Sequence, residues 1–350
     1  MSDTSTIPPQ AATPDPTAES RKADHIELAF KSRVEADQLD RRFYYEPLLS
    51  AHPQPGSLPC VEVGGRVLRT PIWVSSMTGG AAMAGVINRN LARACGEFGM
   101  GMGLGSCRQL LHGRTHFADF DVRDLIGPDQ PLYANLGIAQ LETLLDEGAA
   151  DQLSELVGTL RADGLIIHVN PLQEAMQPEG DVFRRPPIET IQQILERCGG
   201  LRLIVKEVGQ GFGPESLRAL LRLPLEALEF AAAGGANFAR LELLRSDVQK
   251  QRIFGKIASV GHSAGEMLEF VRQIVQTDVV RTRSLILSGG VGDFLDGYYL
   301  LRRSPLPAAY GQASGLLAHA QGDYAELRAF VEAQIRGLEL AFAYLHVRDC

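Results

Sequence analysis

The densest run of chemistry-bearing side chains in the 350-residue sequence is His168-Val169-Asn170-Pro171-Leu172-Gln173-Glu174, which directly follows the apolar Leu165-Ile166-Ile167. Glu174 is a hard oxygen donor of the kind Mg²⁺ takes, with one or two carboxylates completed by substrate phosphate oxygens and water. The run therefore points to a diphosphate, although a carboxylate in a first helical turn is also favoured by the helix dipole alone. His168, at a strand end, is either a satisfied core histidine or a binding group. Lys206 closes Leu203-Ile204-Val205, where its ammonium can hold a phosphate or an electron-rich heterocycle, or pair with Glu207. Gly234-Gly235, Gly289-Gly290 and Gly311 with its neighbours let backbone N–H groups approach a phosphate, or serve only as tight turns. Asn135, Ser76 and Thr78 add neutral hydrogen bonds of the type a flavin ring needs. Arg21, Lys22, His25 and Arg108 are the cations available to a diphosphate; charge pattern alone reads the first three as an exposed helix face.

Groups so far apart in the chain converge only if the fold delivers them to one rim. From Pro71 onward, short apolar runs ending in Gly, Asn or Ser alternate with amphipathic stretches, the pattern of repeated βα units. Eight strands are expected: Ile72 to Ser75, Met100 to Leu104, Leu132 to Asn135, Leu165 to Val169, Leu203 to Glu207, Leu228 to Ala231, Leu285 to Ser288 and Ala308 to Gly311. Eight closes a (β/α)8 TIM barrel, whose chemistry sits where strands run into their following loops, with phosphate often bound after strands 7 and 8. Leu141, Leu144, Leu145, Leu153, Leu156, Val157 and Leu160 recur at helical spacing with a break expected near Gly148, and Ile188, Ile191, Ile194, Leu195 and Cys198 do so again. Tyr324 to Val347 reads as a helix outside the barrel, and the charged Arg21 to Asp40 as helical. The expected organisation is a disordered tail over 1–19, an N-terminal helical and extended segment covering the barrel over 20–70, and a cofactor-binding barrel over 71–350.

Composition narrows the function classes. Hydrophobic residues at 45% and charged residues at 22% are those of a globular chain with a sizeable core. A formal charge of −8 repels a phosphate backbone and argues against a nucleic-acid partner. Cys60, Cys95, Cys107, Cys198 and Cys350 are scattered, with neither disulfide-scaffold nor zinc spacing, so a reducing, cytoplasmic setting is expected. The N-terminus has neither the basic start nor the apolar core of a signal peptide. Thr70 to Asn88 carries no charged side chain, but its Ser75-Ser76-Met77-Thr78-Gly79-Gly80 centre suits a strand entering a loop better than a bilayer span.

Together these segments resemble the type 2, FMN-dependent isopentenyl diphosphate isomerases. The resemblance is carried by Arg21-Lys22-Ala23-Asp24-His25-Ile26, Met77-Thr78-Gly79-Gly80, Gly105-Ser106-Cys107-Arg108, Asn135-Leu136-Gly137 and His168 through Glu174 with Gln177-Pro178-Glu179-Gly180-Asp181. Lys206-Glu207-Val208-Gly209, Gly234-Gly235-Ala236-Asn237 and Ser288-Gly289-Gly290 extend it almost to the carboxyl end. The resemblance implies a TIM barrel, assembled as a tetramer or octamer, that interconverts isopentenyl and dimethylallyl diphosphate with reduced FMN and Mg²⁺, NAD(P)H serving only to keep the flavin reduced. It implies that Gln173 lies beside the isoprenoid carbons and that Glu174 ligates Mg²⁺. His168, Asn170, Arg21, Lys22, Ser106 and Arg108 would bind substrate, chiefly its diphosphate. Met77, Thr78, Gly79, Ser106, Asn135, Lys206, Gly289, Gly290, Gln312 and Ala313 would surround FMN.

The chemistry accounts for such a set. Moving a double bond adds a proton at one carbon and removes one from another, and the Gln173 amide is a poor acid at neutral pH. A reduced flavin can supply the proton, and its electron-rich ring faces the positive charge that develops. Two loops depart from the family pattern. Ala232-Ala233-Gly234-Gly235-Ala236-Asn237-Phe238 lacks the hydroxyls and the indole found in Ser-Gly-x-Gly-Gly-Thr-x-Trp, and Gly289-Gly290-Val291-Gly292-Asp293-Phe294 lacks the arginine of Gly-Gly-x-Arg. Two other readings compete: an FMN-dependent 2-hydroxy acid oxidoreductase, for which His262 is poorly placed as base, and a non-catalytic barrel that binds flavin or isoprenoid diphosphate.

Overall fold

The structure, a computed structural model, describes residues 18–76 and 83–348. The 1–17 tail, Met77, Thr78, Gly79 and Cys350 lie outside the described residues. The chain divides between Phe43 and Tyr44 into two compact units.

The larger unit is an eight-stranded barrel of parallel strands: β1 Ile72–Val74, β2 Gly101–Gly103, β3 Leu132–Gly137, β4 Gly164–His168, β5 Leu203–Lys206, β6 Ala227–Glu229, β7 Ser284–Ser288 and β8 Ala308–Gln312. Each pairs with the next, and β8 pairs with β1 to close the ring. All eight expected strands form within a residue or two of their expected ends. Their aliphatic runs suit strands covered on both faces, which a parallel barrel wrapped in helices requires.

The helical expectations divide. Helices Ile138–Asp146 and Asp151–Thr159 flank Gly148, which takes φ +68°, and Pro187–Arg197 covers the next sheet segment. The last helix stops at Tyr344, and Leu345–Val347 is a short strand. In the N-terminal unit the helix runs Ala18–Leu28 and does not reach Asp40. Beyond Leu28 no apolar period sustains it, and the Ser32 hydroxyl donates to Ala29 O in a turn, the competition that makes serine a poor helix former.

The amino-terminal end of the barrel is sealed. The hairpin of Val61–Val63 and Arg66–Leu68 inserts Val63 and Leu68 among the inward side chains Trp73, Tyr133, Ile166, Ile204, Ala227, Ile286 and Ala309. Arg66 and Arg123 clamp the two oxygens of Asp163 at 2.6 and 2.8 Å. Only the carboxyl end of the strands is left as a mouth.

Candidate active site at the barrel mouth

The strand ends deliver their side chains to this mouth by register. His168 ends β4 and pairs with Lys206 on β5, which pairs in turn with Glu229 on β6. A cleft of about 750 Å³ opens there, lined by Ser75, Ser76, Lys206, Glu229, the glycine loops around Gly234 and Gly290, and Gly311 through Ser314. Lys206, Gly289, Gly290, Gln312 and Ala313 therefore meet in one place. Lys206 is buried and donates from Nζ to the Glu207 carbonyl at 2.6 Å. The Glu207 carboxyl is occupied elsewhere: its Oε2 accepts the N–H groups of Gly209, Gln210 and Gly211. Burial pushes this carboxyl above the usual range despite those donors.

The glycine loops need to be glycine. Gly289 has φ +94°, and a Cβ there would lie 2.1 Å from Ala232 O; a Cβ on Gly234, at φ +114°, would lie 3.0 Å from the Gly290 Cα. The loops after β6 and β7 thus approach backbone to backbone, which side chains would prevent.

Beside this cleft stands the β4 loop. Pro171 occupies the first turn of helix Pro171–Met176, where its missing N–H costs nothing. Asn170, 2% exposed, donates from Nδ2 to Gln173 Oε1 at 3.1 Å and to Glu174 Oε1 at 2.8 Å. Glu174 Oε2 accepts the Asp181 N–H at 2.8 Å. That bond requires the chain to double back, and Gly180 permits it: a Cβ there would stand 1.9 Å from Glu174 O. Asp181 in turn accepts from Gln140 Nε2 at 3.0 Å and faces Arg108 at 3.3 Å.

Asn135 Nδ2 donates to Leu104 O at 3.0 Å, which turns its Oδ1 toward His168 Nδ1 at 2.8 Å. An amide oxygen only accepts, so His168 carries its proton on Nδ1 and offers a lone pair at Nε2. Burial, with the Lys206 ammonium adding to it, pushes the imidazole down to about 3. Asn135 is 3% exposed and does not line the cleft. Gln173 is held by Asn170 and is also not among the lining residues, and Ser106 is exposed. Arg21 and Lys22 are exposed on the helix of the N-terminal unit.

The donor sets can be tested against the groups they would hold. Ser75 Oγ, Ser76 Oγ, Gln312 Oε1 and Glu229 Oε2 are four of the ten buried side-chain atoms left without a partner among the described residues, and all four belong to residues lining the one cleft. Buried polar groups are nearly always satisfied, so this concentration suits a polar ligand, and a flavin fits it. Each oxygen of Glu174 takes one hydrogen bond and keeps a lone pair. No three His, Cys, Asp or Glu among the described residues could together hold a metal ion. A single carboxylate with free lone pairs fits the one or two protein ligands that Mg²⁺ usually takes. Sequence reasoning missed Glu229 and Asp181. The signal for Glu229 was a carboxyl set inside an apolar strand, Leu228-Glu229-Phe230.

A larger cleft of about 1340 Å³ lies around Leu172, Ile188, Ile191, Phe212 and His262. His262 faces that cleft and does not line the mouth. Among the described residues no helix is long and apolar enough to cross a membrane.

No family model matches the chain. An isopentenyl-diphosphate delta-isomerase of Mycolicibacterium gilvum is 35% identical over 291 residues, 81% of each chain. One of Synechococcus is 38% identical over 288 residues, 79% of this chain and 78% of that one, and one of Rickettsia typhi is 31% identical over 94% of both. Among solved structures, flavocytochrome b2 with benzoylformate superposes with a TM-score of 0.56 at 13% identity, covering 91% of this chain and 81% of that one. A mandelate oxidase with a monooxide FMN adduct gives 0.54 at 12%, covering 88% of each. At such identities the structural likeness speaks for the barrel alone.

Proposed function

The chain belongs to the type 2, FMN-dependent isopentenyl-diphosphate delta-isomerase family, and from this premise we propose that it interconverts isopentenyl and dimethylallyl diphosphate by a 1,3-allylic proton shift, with reduced FMN, Mg²⁺ and NAD(P)H as the reductant of the flavin. The observation that carries the reading is the meeting of Lys206 with four unpartnered polar atoms in one cleft, beside the loop that orients Glu174.

When bound, reduced FMN would supply the proton added at one carbon, take back the proton lost from the other, and present an electron-rich face to the positive charge that develops between the two transfers. The chain's own residues do the rest. Ser75, Ser76, Lys206, Gly289, Gly290, Gln312 and Ala313 form the cofactor wall, and the family resemblance adds Met77, Thr78 and Gly79 to the cofactor's contacts. Glu174, aimed by Asn170 and the Asp181 N–H, holds Mg²⁺ against the diphosphate. Arg108 neutralises the same diphosphate and Ser106 adds a hydroxyl; Arg21 and Lys22 enter the reading as substrate-binding residues through the family resemblance alone. Gln173 orients the hydrocarbon without itself transferring a proton. His168 accepts at Nε2, which suits a protonated diphosphate oxygen.

Product analysis tests the reading. Isopentenyl diphosphate with protein, reduced FMN and Mg²⁺ is expected to yield dimethylallyl diphosphate, and the same mixture without flavin is expected to yield none. Conversion independent of flavin, or none by the loaded protein, overturns it. Bleaching of oxidised flavin by a 2-hydroxy acid would indicate the oxidoreductase instead, although His262 faces the other cleft.

A further inference from the structure

Glu229 is a carboxyl-bearing residue of the mouth to which the reading above gives no individual role. It ends β6, its side chain is fully buried, and it lines the cleft. Oε1 accepts the Ser288 hydroxyl across β6 and β7 at 3.2 Å, and Oε2 has no partner. Lys206, its register neighbour, does not answer it, because Nζ is turned to the Glu207 carbonyl. A carboxyl oxygen enclosed in protein without a donor weakens the fold that contains it. Such a group is explained if something that fills the cleft supplies the donor.

The neighbours indicate the kind of donor. Ser75 Oγ, Ser76 Oγ and Gln312 Oε1 stand unpartnered around the same opening. With Glu229 Oε2 they make two acceptors and two hydroxyls that both donate and accept, suited to a ligand that presents several hydroxyls. We propose that Glu229 is a cofactor-binding residue whose Oε2 accepts a hydroxyl of the flavin's ribityl chain, while Ser288 holds Oε1 and fixes the direction of the other oxygen. The proposal rests on the flavin reading above.

The experiment measures flavin binding and thermal stability with full-length protein, on wild type, Glu229→Gln and the near-isosteric Glu229→Met. FMN, riboflavin and lumiflavin, which lacks the ribityl chain, are titrated in their oxidised forms by fluorescence. In Glu229→Met the dissociation constants for FMN and riboflavin are expected to rise together by about 10-fold or more, the size of one lost hydrogen bond to a carboxyl group. Lumiflavin binding should be unchanged. Glu229→Gln, which keeps one acceptor and the Ser288 contact, should lose less. The flavin-free Glu229→Met protein should melt no lower than wild type, since an unsatisfied buried group has been removed. Unchanged FMN binding overturns the proposal. So does an equal loss of lumiflavin, which would place the ring at Glu229, or a lower flavin-free melting temperature, which would make the residue structural. A wild type that binds none of the three flavins would instead overturn the flavin reading itself, and the proposal with it.

Discussion

Asn135 Oδ1 lies 2.8 Å from His168 Nδ1, while the same amide gives its Nδ2 proton to Leu104 O at 3.0 Å. The carbonyl of β2's end thereby sets the orientation of the Asn135 amide, and the amide sets the tautomer of a histidine on β4. One strand's backbone thus decides which face of His168 is available to a ligand.

Breaking this relay should be visible directly. Asn135→Ala leaves Leu104 O and His168 Nδ1 without partners and is expected to cost about 1–3 kcal/mol of stability, read as a lowered denaturant midpoint. The His168 ring nitrogens should show a single Nδ1–H tautomer in wild type and a mixture in the variant by ¹⁵N NMR. A single tautomer in both would contradict the assignment.

His168 also makes stability depend on pH. Its folded pKa of about 3 lies below the 6.5 of a free imidazole, so between those values the unfolded chain binds a proton that the folded one does not. Stability is complete above about pH 6.5 and falls with acidification, by at most about 1.4 kcal/mol per pH unit for this group. The loss continues until the folded imidazole itself protonates. Chemical denaturation from pH 7 to pH 5 should show this slope in wild type and a flatter one in His168→Gln.

Glu174→Gln should keep the fold, because Asn170 Nδ2 still finds an amide oxygen, but should weaken Mg²⁺. The Mg²⁺ concentration for half-maximal isomerisation is expected to rise about 10-fold or more. Unchanged metal dependence would remove Glu174 from the assigned role.

Gly180→Ala reaches the same site from outside it. The new methyl would collide with Glu174 O, 1.9 Å away, and pull the Asp181 N–H off Glu174 Oε2. A higher Mg²⁺ concentration for half-maximal activity, with flavin binding unaltered, is the expected pattern, checked by metal titration alongside FMN titration.

Gly289→Ala should act on the other loop. At φ +94° and with Ala232 O at 2.1 Å, the added methyl meets backbone that cannot move cheaply, and a loss of at least about 2 kcal/mol is expected. Thermal melts and FMN titration measure both consequences.

The strands and their order were legible because Ile166-Ile167, Ile204-Val205 and Leu285-Ile286-Leu287 are short aliphatic runs, and a strand buried on both faces leaves that local trace. The carboxyl-end placement of His168, Lys206 and Gly289 followed from the same reading, as did the break at Gly148. What neighbouring strands do to one another leaves no such trace. Asn135 was expected at the flavin; that its amide also binds Leu104 and His168 was not legible, because partners 31 and 33 positions away meet it only when β2, β3 and β4 lie side by side. Glu207 was a candidate partner for Lys206, yet its carboxyl folds back onto its own loop. Glu229 was unremarked because a charged residue in an apolar strand gains meaning only when its neighbours are seen to leave one oxygen unanswered. Composition and periodicity determine which segments must be buried. Hydrogen bonding between segments is decided by register and loop path, and these exist only once the barrel closes.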